Sequence, residues 1–562
     1  MTYAKHFQTL ETPQREPIPG KNQVQNDAGG YVFPVSDWVR LDRFLILGSE
    51  GGTYYVSERK LTIDNAQAVV RCIKDDGLRV VKRVEEISTA GRAPKNTPAL
   101  FVLAMVMALG SEEARREAVT VLPRVARTAT HLFQFLSEVQ AFRGWGRGLR
   151  RAVSNWYSQL SPKDLLYQLM KYQSRAGWTH RDAWRLSHWI PPTEAHHAIC
   201  RLYVDPDNLG ARLVDRRQKE PTHYGPVNIS AIPEDALRLH QAHEELFSVY
   251  RHEKDRSASL KETVNTAVRL IASNPSLTWE MLPTELLREA RVWEALLPSL
   301  PMTALLRNLG RLTALGLLAP LGTHTKLVAE RLTSEERIIG ARLHPLSILQ
   351  ALNIYMVGCG ELGSLTWSPV GTIIDALDEA FYLSFKAVGP TGARILLALD
   401  VSGSMDLGYV SGMHVKPREA AAAMAMVTAR TEQSYAVVTF SHELRDFPIT
   451  AKERLDSVIK RTRSLPAGGT DCALPMIWAQ DHRIPVDVFI VYTDNETWYG
   501  GIHPCQALAR YRRKMGIPAK LIVVGMTATS FSIADPNDGG MLDVVGFDTS
   551  APQVISQFIT GA

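Results

Sequence analysis

The chain has 562 residues, 45 % hydrophobic and 22 % charged, an ordinary globular composition with length for several domains. Its five cysteines (Cys72, Cys200, Cys359, Cys472 and Cys505) are an odd number with no C-x-x-C spacing, so neither a zinc site nor a disulfide framework is indicated, and a reducing cytosol fits. The net charge is only +5, but residues 121–190 hold 11 Lys and Arg against 3 Asp and Glu, whereas residues 391–562 hold 16 against 17; a local excess of that size points to a polyanionic partner.

Residues 1–28 are rich in Pro, Gln and Asn, lack a signal-peptide core, and read as a flexible tail. Trp38 to Leu45 is amphipathic and ends at Gly48. A glycine turn follows, Gly48-Ser49-Glu50-Gly51-Gly52-Thr53-Tyr54-Tyr55. Helical patterns broken at Gly or Pro then recur to about residue 355. Many antiparallel helices on short turns predict a helical-repeat solenoid, although no fixed-period consensus is visible. The apolar run from Leu100 to Leu109 is too short to span a bilayer, so no membrane association is expected.

The positive segment has a helical order of its own. Arg147, Arg150 and Arg151 stand at i, i+3 and i+4 and share one helix face, with Leu149, Val153 and Trp156 on the other. Lys171 and Arg175 read as i, i+4 neighbours. Gly177-Trp178 breaks that helix, and Thr179 caps the next, with Asp182 at the third helical position. On that helix Arg181, Arg185 and His188 share a face. Arginine forks pair with phosphate bidentately, and interleaved aromatics can stack on exposed bases. The plain alternative is a solvated helix face, but acidic i, i+4 partners are scarce here. Spacing does not separate RNA from DNA.

Residues 204–234 carry loop chemistry around Arg212, Arg216, Arg217 and Lys219 and predict a basic loop. A junction after Cys359 and a helix over about Thr372 to Lys386 lead to an alternating strand and helix pattern. Arg394 to Leu399, Tyr435 to Phe440, Asp487 to Thr493 and Ala519 to Gly525 read as buried strands; Arg418 to Thr431 reads as a helix between two of them. The first strand ends in Asp400-Val401-Ser402-Gly403-Ser404. Such a D-x-S-x-S loop gathers oxygens as a hard divalent cation requires, though Asp, Gly and Ser also cluster in any turn. Pro466-Ala467-Gly468-Gly469-Thr470-Asp471 and the strand end Thr493-Asp494 supply further oxygens at the same sheet edge.

Three such loops in this order resemble the von Willebrand factor A domain and its metal-ion-dependent adhesion site, over roughly residues 389–562. That resemblance implies direct ligation of a divalent cation, Mg2+ in this reading, by Ser402, Ser404 and Thr470. Asp400 and Asp494 would hold its waters. A basic helical region followed by such a domain is similar to the Ro ribonucleoprotein family with its TROVE domain. The similarity is carried by the 48–55 string, Pro301-Met302-Thr303-Ala304-Leu305-Leu306-Arg307-Asn308-Leu309-Gly310, the 466–472 string and Ile533-Ala534-Asp535-Pro536.

The resemblance implies a ring of HEAT-like helical repeats over residues 29–388, closed by a doubly wound A domain over 389–562. It implies small noncoding Y RNA on the outer rim, with Lys171, Arg175 and His188 matching family contact positions and Arg40, Arg43, Arg147, Arg150 and Arg151 as further candidate contacts. Single-stranded 3′ ends of misfolded noncoding RNA would enter the central hole. In bacterial relatives a 3′-to-5′ exoribonuclease, polynucleotide phosphorylase, is a further partner. Residues 204–234 depart from the family pattern, so no contact is carried over there. The expectation is a monomeric, non-catalytic RNA scaffold. A metal-dependent protein-interaction module is the alternative; a nuclease is disfavoured because the hydroxyl-rich site lacks the clustered carboxylates of two-metal phosphoryl transfer.

Overall fold

The computed structural model describes residues 11–48, 58–204, 228–254, 259–360, 364–385 and 388–561. The glycine turn after Gly48 and most of the 204–234 loop lie outside them.

The helical part begins with α1 (Asp37–Leu47), capped by the Ser36 side chain accepting from Val39 N and stopped at Gly48, whose φ is 66°. It continues through α2 (Glu58–Thr89), α3 (Thr97–Leu109), α4 (Glu112–Val125), α5 (Ala129–Phe142), α6 (Arg147–Ser158), α7 (Pro162–Lys171), α8 (His180–Ser187) and α9 (Glu194–Val204). Then come α10 (Glu234–Lys254), α11 (Leu260–Ser273), α12 (Ala290–Leu296), α13 (Met302–Ala314), α14 (Thr323–Leu332), α15 (Glu335–Gly340), α16 (Pro345–Val357) and α17 (Gly371–Leu383). Each helix packs mainly on neighbours one to three places along the chain: α2 on α4, α3 on α5, α4 on α6, α6 on α8, α7 on α9, α16 on α17. This is the local stacking of a helical-repeat solenoid.

The C-terminal domain is a doubly wound sheet. Its strands are β5 (Ile395–Asp400), β6 (Tyr435–Phe440), β7 (Leu444–Asp446), β8 (Val488–Thr493), β9 (Lys520–Gly525) and β11 (Met541–Val545), in the order β11-β9-β8-β5-β6-β7. All pairs are parallel except β6 with the edge strand β7. Because β5 and β8 are buried along their whole length, they are apolar on both faces. Ile395, Leu397 and Leu399 enter the core continuous with the helical domain, and Leu396 and Ala398 enter a second core on the opposite face. The helices are α18 (Pro417–Thr431), α19 (Leu455–Arg463), α20 (Leu474–Asp481), α21 (Pro504–Met515) and α22 (Ala551–Thr560). The chain leaves β5 for β6 on one side and returns to β8 on the other, so β5 and β8 flank the switch point.

Both ends of the helical run pack on this domain, and so the solenoid closes into a ring. From α1, Arg43 reaches Asp543 of β11, and the carbonyl of Leu47 accepts from Ser411 Oγ at 2.6 Å. From α17, Asp378 pairs with Arg430 of α18 at 3.0 Å and accepts from Leu455 N at 2.8 Å. His344, at the start of α16, donates to Arg92 O at 3.2 Å, joining early and late helices directly.

The expected flexible tail is corrected over residues 11–28. They form a strap on the A domain, with β1 (Val24–Gln25) paired to β2 (Tyr31–Pro34), and β2 in turn paired to β10 (Phe531–Ser532). The polar residues that suggested disorder are its anchors. Buried Gln14 donates to Asp471 Oδ1 at 2.7 Å and to Ile502 O at 2.9 Å, and accepts from Thr497 Oγ1. Asn26 donates to Thr497 O at 2.8 Å. Gly30 is obligatory, since a Cβ there would stand 1.9 Å from Thr497 O.

Candidate functional site

At the switch point three loops are tied together by their backbones. Gly403 N donates to Gly468 O at 3.3 Å, and the amides of Trp498 and Tyr499 both donate to Thr470 O at 3.0 Å. This brings Ser402, Ser404, Thr470, Asp400 and Asp494 into one buried cluster. The hydroxyls of Ser402 and Ser404 are 3.1 Å apart. Asp400 accepts from Ser402 N at 2.9 Å and from Thr493 Oγ1 at 2.6 Å. Asp494 Oδ1 accepts from Glu496 N at 3.0 Å, while its Oδ2 is buried with no hydrogen-bond partner among the described residues.

Burial dominates the electrostatics of this cluster. Burial, reinforced by Asp494, pushes the Asp400 carboxyl up to about 7. Burial raises Asp494 as well, and it drives Glu496, two residues on, up to about 9 with Asp494 and Asp27 contributing. Two buried carboxylates, one with an orphaned oxygen, beside three buried hydroxyls fit a hard divalent ion that takes oxygen ligands. Among the described residues no group of three or more His, Cys, Asp or Glu is arranged as a metal site, so hydroxyls would supply part of any coordination here. Sequence reasoning placed Thr493 at the sheet edge without assigning its role, which is to hold Asp400, and missed Gln14, which reaches Asp471 beside Thr470. Thr493 was legible as the residue before the strand-end aspartate; Gln14 carried no local signal.

The basic face is partly as expected. Arg147, Arg150 and Arg151 are exposed on the first turns of α6 and have no ion-pair partner among the described residues, while Leu149, Val153 and Trp156 are buried. The capping box of Thr179 and Asp182 is present and starts α8. Arg181, Arg185 and His188 are exposed, with Arg185 lying 3.7 Å from Asp182. His188 ends α8 in the left-handed region.

Three expectations are corrected. Lys171 and Arg175 do not share a helix: α7 ends at Lys171, and Arg175 sits in β3 (Ser174–Arg175), a hairpin with β4 (Trp178–Thr179). The turn glycine Gly177, with φ of 78°, makes that hairpin possible. Arg175 is exposed, but the Lys171 side chain is only 8 % exposed. Its Nζ donates to Tyr167 OH at 2.9 Å, lies 5.2 and 5.4 Å from the Tyr167 and Tyr172 rings, and is 3.5 Å from Glu280. Arg43 is fully buried, forked onto Asp543 and bonded to the carbonyl of Phe531, so it is a structural residue and not a phosphate contact. Arg40 is 12 % exposed and burial lowers its pKa, so it too is poorly placed for a polyanion.

Comparison with known proteins gives concordant matches. The family model described as the TROVE domain matches residues 24–354, and that described as the Ro60 vWA domain matches residues 394–559. The chain is 40 % identical over 558 residues to a Deinococcus radiodurans protein named RNA-binding protein RO60, covering 98 % of each. It is 36 % identical over 586 residues to the Caenorhabditis elegans protein of the same name, covering 96 % of this chain and 90 % of that one. The crystal structure of the Deinococcus radiodurans RO (RSR) protein matches with a TM-score of 0.66 at 40 % identity, covering 94 % of this chain and all of the other.

Proposed function

The chain belongs to the Ro60 family, and from that premise we propose that it is an RNA-binding, non-catalytic scaffold in cytoplasmic RNA quality control. The observation that carries the reading is the match, across nearly its whole length, to relatives named as RNA-binding proteins. The row of exposed arginines on α6, the β3–β4 hairpin and α8 supports it. In this reading Arg147, Arg150, Arg151, Arg175, Arg181, Arg185 and His188 contact phosphates of a small structured Y RNA on the outer rim. Phosphate contacts fix register, and shape with a few base contacts gives selectivity. The ring admits a single strand, so misfolded or 3′-extended noncoding RNAs with an unpaired end are selected. A bound Y RNA also tethers a 3′-to-5′ exoribonuclease of the polynucleotide phosphorylase kind. The protein acts as a monomer.

Ser402, Ser404 and Thr470 would hold a Mg2+ ion, with Asp400 and Asp494 placed to accept from its waters. Bound there, the ion supplies a coordination position for an acidic group on a partner. Because a ligand that binds only the folded state stabilises it, millimolar Mg2+ is expected to raise the melting temperature of the wild type and not that of Asp494→Ala. Equal shifts in both proteins would remove the metal from this site.

The deciding experiment is to purify the protein from its own cells and sequence the nucleic acid that travels with it. One abundant small structured RNA, with a minority of 3′-extended transcripts, is the expected result. No RNA above background, together with a protein partner released by chelation, would transfer the function to the metal loops and make the arginines a solvated face.

A further inference from the structure

Away from the metal loops, a cleft of about 430 Å3 lies between the C-terminal turn of α3, the start of α4 and the α5–α6 connection. Small-molecule sites span ~300–1,000 Å3, so the cleft can enclose a ligand of nucleotide size. Five arginines are in its lining, Arg115, Arg116, Arg143, Arg147 and Arg151, against one acidic residue, Glu112.

The five are not equivalent. Arg143 donates to Met107 O at 2.9 Å and Arg115 to Ala108 O at 3.1 Å, so both are anchored on the last carbonyls of α3. The Nε of Arg115 is buried and has no hydrogen-bond partner among the described residues. Arg116 pairs with Glu112, which exhausts the acidic complement of the cleft. Arg147 and Arg151 are exposed and have no ion-pair partner among the described residues.

The α5–α6 wall adds to the positive field. Helix α6 starts there with Gly146 as its N-cap, which offers no side chain to accept from the first-turn amides. A Cβ at Gly144 or Gly146 would meet nothing within 4 Å, and both glycines are in the lining of the cleft. Like charges gathered along one cleft repel one another and an anion between them relieves that repulsion; among the described residues Glu112 is the single acidic residue in the lining. A duplex backbone, with its charges spread along a surface, suits the row of arginines on the rim. A cleft lined by five arginines, of which Arg147 and Arg151 also belong to that row, suits charge concentrated in one place.

We infer that this cleft binds an oligophosphate, the triphosphate of a nucleotide, either free or at the 5′ end of an RNA. The second source rests on the RNA-binding reading above. The Trp145 ring packs on Trp178 at 5.7 Å, so the glycine wall touches the hairpin that carries Arg175, and the cleft borders the rim arginines.

The test uses the full chain and four probes: tripolyphosphate, ATP, and a short single-stranded RNA with a 5′-triphosphate or a 5′-hydroxyl. Binding is compared for the wild type, the double variant Arg147→Gln/Arg151→Gln, and Arg337→Gln, an exposed arginine on α15. Matching melting temperatures establish that all three are folded. Saturable binding of tripolyphosphate by wild type and Arg337→Gln is expected, weakened about tenfold or more in the double variant, because two charge-assisted contacts are lost.

A similar preference for the 5′-triphosphate RNA over the 5′-hydroxyl RNA, erased in the double variant, identifies the RNA end as the source. Equal RNA affinities with tight ATP binding identify the free nucleotide. Absence of saturable tripolyphosphate binding in wild type, or identical binding in the double variant, overturns the inference. In that case continued binding of 5′-hydroxyl RNA leaves the RNA scaffold standing. If no RNA binds at all, the scaffold reading falls, and tripolyphosphate alone decides the cleft.

Discussion

Lys171 and Arg175 stand four positions apart in the most basic segment of the chain, yet the fold treats them oppositely. Lys171 spends its charge on two tyrosines and Glu280, whereas Arg175 projects from a hairpin into solvent. Arg175→Ala is therefore expected to weaken RNA binding and lower the slope of log K against log salt by about one. Lys171→Ala should cost stability with a smaller change in that slope. Titrations at several salt concentrations separate the two, and an unchanged slope for Arg175→Ala would remove that contact.

His180 shows a different residue-scale effect. Its imidazole is buried among Phe133, Tyr157, Trp184 and Tyr203, with no carboxylate among these ring neighbours, donates to Tyr172 O at 3.0 Å and accepts from Tyr157 OH at 2.8 Å. Burial lowers its pKa from 6.5 to about 4. The folded state therefore keeps it neutral where the unfolded chain is already protonated. Its contribution is complete above pH 6.5 and is lost as pH falls from there to about 4, at most about 3 kcal/mol. Buried His131 and His344 act in the same direction. Melting temperatures between pH 7 and 4 should fall less steeply for His180→Gln than for wild type; parallel profiles would assign the acid sensitivity to other groups.

Among the elements, the N-terminal strap and the β3–β4 hairpin are two that local pattern did not reveal. The strap has no apolar period, because its anchors are amides that complete hydrogen bonds on another domain. Gln14→Ala leaves Asp471 and Thr497 without their buried partner, at an expected cost of about 2–4 kcal/mol. Denaturant unfolding measures this, and a value near zero would make the strap incidental. The hairpin was hidden for a simpler reason: two-residue strands carry too little alternation to read, and the i, i+4 spacing of two basic residues mimicked a helix. By contrast β5, β6, β8 and β9 were legible almost to the residue, since central strands of a parallel sheet must be apolar on both faces.

The whole molecule depends on closure of the helical run through the A domain. Arg43 is central to one seam, buried and forked onto Asp543 with further bonds to Thr529 and Phe531. Removing one partner of a buried pair leaves a charge uncompensated, so Arg43→Ala should destabilise the protein by about 3–5 kcal/mol. Amide exchange should quicken together in α1 and β11 while β5 stays protected. Unchanged exchange at that seam would mean that the contacts of α17 with α18 suffice to close the ring.

What the chain determined by itself is the part encoded in short range. The all-buried strands, the D-x-S-x-S, Gly-Gly-Thr and Thr-Asp loops at their ends, and the capped amphipathic helices follow from period and turn chemistry within a few residues. Three such loops in order were enough to place Ser402, Ser404, Thr470, Asp400 and Asp494 at one sheet edge. Tertiary structure alone decided which cations remain available. Arg43 has its partner 500 positions away, and helix periodicity records only which residues share a face, not what that face will meet. The same holds for the five-arginine cleft, whose lining comes from four helices that become neighbours only when the solenoid stacks.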